Sequence, residues 1–399
     1  MKAPVFVVGA GVITAIGNSL SENLESFQME RSGIAAIQNL DTIYKNVLPV
    51  GEVKLTNGEL QQRLGLKKSF TRTAMLGIHA AREAIRHSQI RNIKRWRTGL
   101  ISATTVGGMD RTELFFSEFR EGPGAGKLRD VVHHACGNST ELIADDLGIN
   151  GFVSTINTAC SSSVNSIMFG ARLIQQGRLD VVIAGGTDAL TQFTLNGFNS
   201  LMILDHRPCR PFDANRGGLN LGEGAGFVAL VSKKVLMAEN LISYCRVSGF
   251  ANTNDAYHQT ASSPEGRGSF AAMQQALEMS MLGPEQIDYI NLHGTGTVNN
   301  DQSEGSAIQR LFGESPPLLS STKSFTGHTL GACGGIEAAY SVLTIREGCV
   351  FPNLRFREPM PELNLRPQTS FQSGLNINHV MSNSFGFGGN CSSIIFSKN

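Results

Sequence analysis

The segment N-T-A-C-S-S-S, Asn157 to Ser163, sets one thiol, Cys160, between a strand-like F-V-S-T-I run and a stretch with helical apolar spacing. A cysteine there faces a helix N-terminus, where the dipole and unpaired N–H groups lower a thiol pKa and favour the nucleophilic thiolate. The competing reading is a small buried filler, since most buried cysteines are inert. Two histidines bear on the choice. I-N-L-H-G-T-G-T places His293 after an apolar strand and before a Gly/Thr loop whose hydroxyls can orient a ligand. S-S-T-K-S-F-T-G-H-T-L-G-A places His328 five residues after Lys323 and just ahead of a second small-residue helix. One thiol with two ordered imidazoles suits acyl transfer. A thiolate both attacks and leaves well, and ring N–H groups can hold a developing oxyanion.

These loops are far apart in sequence, so the elements that carry them must bring them together. An internal echo shows how. Ser166–Gly177 and Glu337–Gly348 are both twelve-residue segments with apolar helical spacing, each ended by a polar residue and a Gly suited to a helix C-cap. The first follows A-C-S-S-S and leads into D-V-V-I-A-G-G; the second follows L-G-A-C-G-G and leads into G-C-V-F-P. The repetition predicts two similar halves, 1–240 carrying Cys160 and 241–399 carrying both histidines, with the two helices buried between layers. Pseudo-symmetry would then bring the histidine loops to the mouth of the Cys160 helix.

Elsewhere, Pro4 to Val8 reads as a first strand, Arg72 to His87 as a helix, Thr98 to Gly108 as a strand with a Gly turn, and Thr140 to Asp146 as the start of another helix. The G-A-G-V-I-T that follows the first strand is not a dinucleotide loop. Thr14 stands where the third glycine is needed, and no acidic residue closes the unit at ribose distance.

Over 399 residues, 34 Lys and Arg balance 33 Asp and Glu, which leaves no global field for nucleic acid or an anionic membrane. Any basic docking patch must be local. With 41% hydrophobic residues, 17% charged and 44 glycines, the chain reads as a compact α/β enzyme. Its seven cysteines are odd in number and lack a C-x-x-C pair, against a disulfide framework or a zinc knuckle. Gly9 and Gly11 interrupt the first apolar run before it can form a signal-peptide core, and no run approaches the roughly 20 apolar residues of a membrane span. A cytoplasmic protein is expected.

Taken jointly, N-T-A-C-S-S-S, H-G-T-G-T, S-S-T-K-S-F-T-G-H-T-L-G-A and N-S-F-G-F-G-G resemble the signatures of the elongating β-ketoacyl-acyl-carrier-protein synthases of the thiolase superfamily. D-A-Y-H-Q-T (Asp255 to Thr260) and R-P-F-D-A-N-R-G-G (Arg210 to Gly218) match as well, and the similarity extends to Asn399. The resemblance implies an α/β, thiolase-like fold of two pseudo-equivalent halves in α-β-α-β-α layers. It implies a ping-pong reaction: Cys160 accepts an acyl chain from acyl carrier protein, malonyl-carrier protein loses carbon dioxide, and its carbanion attacks the thioester. The product is two carbons longer, in fatty acid or related polyene or polyketide biosynthesis.

By the same resemblance, His293 and His328 donate Nε2–H to the malonyl thioester oxygen, and Lys323 fixes His328 and its tautomer. The N–H groups of Cys160 and Phe387 hold the acyl oxyanion, and Phe387 gates the acyl and malonyl pockets on a Gly386, Gly388 and Gly389 hinge. Thr295 and Thr297 meet the phosphopantetheine arm, Val106 lies at the pocket floor, and Phe385 lines the substrate site. Glu304 lies near Lys323 and Asp301 supports the site. No resident cofactor, metal or nucleotide is implied, since substrates ride on the carrier's phosphopantetheine. A homodimer is expected, because the family's acyl pocket is completed by the partner subunit, with a heterodimer of sister ketosynthases as the alternative. Lys67, Lys68 and Arg72 are candidates for the carrier's docking patch.

Degradative thiolases use a second cysteine as proton carrier, and chain-initiating synthases carry Asn in place of one histidine; His293 with His328 favours the decarboxylating elongation enzyme. Non-catalytic chain-length partners lack the nucleophile that Cys160 supplies, and a cysteine hydrolase would need an Asn or Asp motif to orient its histidine. Two departures bear on substrate. Arg129 to Thr140 holds His133 and His134 where long-chain members bring an apolar, aromatic loop, which suggests shorter, more polar or conjugated chains, against the simpler reading of a solvated loop. Asn390 stands where Thr is more usual.

Overall fold

The computed structural model describes residues 3–68, 70–122 and 124–399. Ten strands form one mixed sheet: β1 (Val5–Ile13), β2 (Thr98–Ala103), β3 (Phe152–Ile156), β4 (Val181–Asp188), β5 (Gly224–Ser232), β6 (Cys245–Asn254), β7 (Tyr289–Asn291), β8 (Leu318–Ser320), β9 (His379–Gly386) and β10 (Asn390–Ser397). The strand order is β8-β7-β9-β10-β6-β1-β5-β4-β2-β3. From the centre outward, each half therefore repeats the other: β1-β5-β4-β2-β3 on one side and β6-β10-β9-β7-β8 on the other. Directions repeat too. The β1/β5, β5/β4, β6/β10 and β10/β9 pairs are antiparallel, while β2 runs parallel to β4 and β3, as β7 does to β9 and β8. A short antiparallel seam, Val5 opposite Val247 and Val7 opposite Cys245, joins the halves.

Six helices complete the frame: α1 (Arg72–Ser88), α2 (Cys136–Leu147), α3 (Ser162–Gln175), α4 (Arg267–Ser280), α5 (Val298–Phe312) and α6 (Cys333–Glu347). Three apolar cores separate the layers. One packs α1 and α2 on the outer face of the first half-sheet, one packs α4 and α5 on the outer face of the second, and the central core joins both half-sheets through α3 and α6. The middle helices have the sequence such a place demands. Every residue of α6 from Cys333 to Ile345 is buried, and apart from Glu337 the helix is mainly apolar or small on all sides, with no polar stripe. Its glycines set the approach: a Cβ on Gly335 would lie 2.4 Å from the Gly226 carbonyl oxygen of β5.

The G-A-G stretch near the N-terminus lies inside β1, which runs past the expected end at Val8 to Ile13. Its glycines answer a packing need, since a Cβ on Gly9 or Gly11 would stand 2.2 Å from the Ala84 or Ala80 carbonyl oxygen of α1. The segment around His133 is not a plain loop. Leu128–His133 forms a 3₁₀ helix, α2 follows, and Leu128 and Val132 are exposed.

Candidate active site

Cys160 sits on the sharp turn between β3 and α3, and the turn is made by Ala159 in the left-handed region at φ 52°. Such a conformation is costly for an alanine and persists only where surrounding structure enforces it. Here Ser161 Oγ donates to Asn390 Oδ1 at 2.8 Å, and Gly335 N–H donates to Ser163 Oγ at 2.7 Å, so both neighbours of the turn are tied to the second half. The serines are fully buried packing and tethering groups.

The expected lowering of the Cys160 pKa is overturned. Burial pushes the thiol up to about 11, against the smaller pull of Lys323 and of the Phe387 and Cys160 N–H groups, which point at the sulfur. The helix dipole does not win because α3 begins only at Ser162, beyond Cys160, and because 7% exposure leaves the thiolate almost no water. At rest the site therefore holds a thiol.

His328 approaches that thiol directly, Nε2 to Sγ 3.1 Å. Its backbone is clamped from both sides: its N–H donates to Asn220 O at 2.7 Å, and its carbonyl accepts from Gly222 N–H at 2.9 Å. His293 stands beyond the end of β7, held by Glu304, whose carboxylate accepts from the His293 and Gly294 N–H groups at 2.9 and 2.8 Å. The two rings meet edge to face with centroids 5.3 Å apart. Burial, and then the charge of Lys323, hold both imidazoles well below their usual pKa, so both are neutral. Both Nδ1 atoms are buried without a partner. A bare ring lone pair is tolerated there better than a stranded N–H, which assigns the proton to Nε2 in each ring.

Lys323 is fully buried, its Nζ bonds Glu337 Oε1 of α6, and its charge acts on His328, the ring the resemblance implied it fixes. Burial works against the ammonium, but attraction to Glu337, Cys333 and Glu304 raises its pKa overall. It thus acts on both histidines through its charge. Burial also lifts Glu304 and Glu337 to about 7. Glu337, Cys333, Asn383 and Asp188 went unrecognised in the sequence. Cys333 Sγ donates to the Cys160 carbonyl at 3.1 Å, Asn383 Nδ2 to Glu304 at 3.2 Å, and Asp188 accepts from Gly331 N–H at 2.7 Å.

One cavity of about 370 Å³ opens onto Cys160, His293 and His328, and Thr295, Thr297, Phe385 and Phe387 lie on its walls. Thr295 and Thr297 share a 2.9 Å hydroxyl contact. Asp301, fully buried, accepts from Phe212 and Gly296 N–H groups and braces the loop from behind. Phe387 stacks on Phe198 at 5.8 Å, while Gly388 N–H is tethered to Gln259 O at 2.7 Å. Gly388 and Gly389, at φ 78° and 77°, supply the left-handed turn after that ring.

Other expected residues fall elsewhere. Val106 is not on the cavity wall; it packs with Leu190, Leu195 and Leu219 behind Phe198 and Ile203. Arg72 cannot dock a partner. Its guanidinium is buried on Glu223, Nε to Oε2 2.8 Å and Nη2 to Oε1 2.6 Å, because the first turn of α1 enters the core; Lys67 and Lys68 remain exposed. His133 and His134 bond within their own neighbourhood, to Asn138 at 2.7 Å and Thr112 at 3.0 Å.

A buried thiol facing two neutral imidazoles across one cavity, with two backbone N–H groups on the sulfur, is the equipment of acyl transfer through a thioester. Residues 2–235 match the family model of the beta-ketoacyl synthase N-terminal domain and residues 244–357 that of its C-terminal domain. The chain belongs to the β-ketoacyl synthase family, with a thiolase-like fold and a function in fatty acid or polyketide biosynthesis.

It is 35% identical over 407 residues to 3-oxoacyl-(acyl-carrier-protein) synthase 2 of Staphylococcus aureus, covering 99% of this chain and 98% of that protein. Identity to the protein of the same name from a Synechocystis species is 34% over 414 residues, covering 100% and 98%. Among solved structures, the ishigamide ketosynthase/chain length factor superposes with a TM-score of 0.94 at 28% identity, covering 100% of both chains. A ketosynthase in complex with its chain length factor from Xenorhabdus doucetiae gives 0.87 at 31% identity, covering 100% of this chain and 98% of that one.

Proposed function

We propose that this chain is the catalytic ketosynthase that transfers an acyl chain from acyl carrier protein to Cys160 and condenses it with malonyl-carrier protein. The observation that carries the assignment is the 3.1 Å contact of His328 Nε2 with Cys160 Sγ beside His293, all open to one cavity. As the sulfur bonds the acyl carbonyl carbon, the thiol proton leaves with the departing phosphopantetheine thiol. His328 Nε2–H stabilises the charge growing on sulfur, and the Cys160 and Phe387 N–H groups hold the oxyanion.

In the second half-reaction the malonyl C–CO₂⁻ bond breaks, and the electron pair moves onto the thioester as an enolate. His293 and His328 donate Nε2–H to its oxygen. Neutral rings suit this role, because an imidazolium would be expensive in so buried a site and no base is needed to remove a carboxylate. The enolate carbon then attacks the Cys160 thioester and the sulfur departs, retaking a proton. No metal or resident cofactor enters any step. Thr295 and Thr297 receive the phosphopantetheine arm, and Phe387, stacked on Phe198, swings to admit the malonyl group.

A dimer fits the surface. β3 is one of the two edges of the sheet and exposes Phe152 and Val153, and the Met109–Glu121 helix exposes Leu114, Phe116 and Phe119 without burying a residue. A second copy or a sister ketosynthase would cover them. Among the described residues, no helix is long and apolar enough to cross a membrane, in keeping with work in the cytoplasm.

The test is intact-mass analysis after exposure to acyl-carrier proteins. The acyl mass should appear on wild type and be absent from Cys160→Ala. Acylation that survives the substitution would refute the nucleophile.

A further inference from the structure

The side chains that carry the chemistry also form a set that transition metals recognise. Cys160, His293 and His328 each offer a ligand atom, and these atoms lie within 4.8 Å of one another. Tetrahedral zinc, with about 2.3 Å to sulfur and 2.0–2.1 Å to nitrogen, needs its ligand atoms some 3.3–3.7 Å apart. The His328 Nε2 to Cys160 Sγ contact is already 3.1 Å, and a His293 ring nitrogen lies within 4.8 Å of both of these ligand atoms, so closing the set falls to the His293 ring. That ring is 2% exposed, lines the cavity, and has no hydrogen-bond partner at Nδ1. A second shell exists as well. Glu337 Oε2 is buried without a partner, and Glu337 and Cys333 offer ligand atoms within 4.8 Å of a His293 ring nitrogen. A metal-bound histidine typically gives its other N–H to such a carboxylate. The fourth coordination position would face the open cavity, as in sites that keep one exchangeable ligand.

We propose that Cys160, His293 and His328 form a His₂Cys site for a zinc-class divalent metal ion, and that occupancy shuts the enzyme off reversibly. Binding forms a metal–sulfur bond and breaks the S–H bond, its proton leaving to buffer through the cavity. In each ring the proton moves from Nε2 to Nδ1, which leaves the His328 Nδ1–H without a partner, a cost the new metal bonds must exceed, and the freed Nε2 lone pair binds the metal. Nothing is oxidised or reduced. Cavity water fills the fourth position. A sulfur held this way cannot attack a thioester, and the rings cannot donate to an enolate. The inhibition, though not the metal site itself, rests on Cys160 being the acyl acceptor.

The experiment uses the full chain, stripped with a chelator and titrated with Co²⁺ as the spectroscopic stand-in and with Zn²⁺. Stoichiometric Co²⁺ should produce a thiolate-to-cobalt charge-transfer band. Zn²⁺ should abolish the band and suppress acylation at least tenfold, and chelator should restore it. Cys160→Ala, or iodoacetamide alkylation of wild type, should remove the band, and His293→Ala should weaken binding by more than about tenfold. Cys333→Ala should keep the cobalt band and lose no more affinity than His293→Ala does. If the stripped enzyme acylates at Cys160 but shows no cobalt band, the metal site is wrong and the ketosynthase reading stands. If it does not acylate, that reading fails by itself. A band that survives Cys160 alkylation but vanishes in Cys333→Ala would place the metal behind the site and overturn the proposal.

Discussion

Replacing Glu337 with Gln tests whether a buried ion pair holds the Lys323 ammonium in place. Lys323 and Glu337 are 1% and 2% exposed, and Glu337 is the carboxylate that Nζ bonds. Without it the ammonium can stay charged and unpaired, at about 3–5 kcal/mol for breaking a buried pair. Alternatively it can shed its proton. Bringing a lysine from its ordinary 10.5 to neutrality near pH 7 costs about 5 kcal/mol at 1.36 kcal/mol per pH unit. The two routes bracket the same loss, a large share of a typical stability of about 5–15 kcal/mol. Glu337→Gln should therefore lose about 3–5 kcal/mol in guanidinium unfolding, read at one fixed protein concentration because a dimer's apparent stability depends on it. A Lys323→Met/Glu337→Leu double variant should regain most of that stability, since apolar replacements of a buried pair are often neutral. It should still fail at malonyl decarboxylation. A loss below about 1 kcal/mol in the single variant, or a double variant no more stable than the single, would refute the argument.

Three further outcomes follow from the same geometry. His293→Ala should still accept an acyl group but lose malonyl decarboxylation, whereas His328→Ala, which removes the partner of Cys160 Sγ, should slow both; equal acylation in the two variants would separate His328 from the thiol. Alkylation of Cys160, followed by peptide mass mapping, should climb about tenfold per pH unit toward a thiol pKa of about 11, and a plateau below pH 9 would contradict the burial argument. Gly335→Ala would drive a Cβ to 2.4 Å from the Gly226 carbonyl, so it should cost about 1–3 kcal/mol or more by overpacking; unchanged unfolding would mean that α6 and β5 can part cheaply.

The repeated helix with its small-residue approach was readable because burial on all sides leaves a compositional trace. That Cys160, His293 and His328 would meet at one cavity was readable because their loops carry rare local patterns. What escaped depends on distance in sequence. Arg72 looks like a surface cation at the start of a helix until Glu223, 151 positions later, is placed against it. Glu337 reads as one polar residue on an apolar helix, and only the fold shows that it meets Lys323. The Cys160 pKa went the wrong way because a helix terminus is visible in sequence and the surrounding desolvation is not. Val106 joins the cluster of Leu190, Leu195 and Leu219 instead of the cavity wall, a placement that no motif encodes.

The two halves carry the same turn before their central helices, and comparing the copies explains why only one presents a thiol beside an uncapped N–H. Ala159 and Leu330, each at φ 52°, precede Cys160 and Gly331, and α3 and α6 begin two residues after each. At the end of β4, the Asp188 carboxylate accepts from the Gly331 N–H at 2.7 Å, which occupies the donor at that turn. The matching end of β9 is Gly386, where even a Cβ would lie 3.0 Å from the Cys160 nitrogen. The missing side chain leaves the Cys160 N–H directed at its own sulfur, together with that of Phe387. The second half has instead lengthened its strand-to-helix connection. Eleven positions separate Ser320 from Gly331, against four between Ile156 and Cys160, and the longer connection carries Lys323 and His328. One copy of the fold thus presents a thiol beside an uncapped backbone N–H, and the other, its own turn capped, sets Lys323 and His328 next to it.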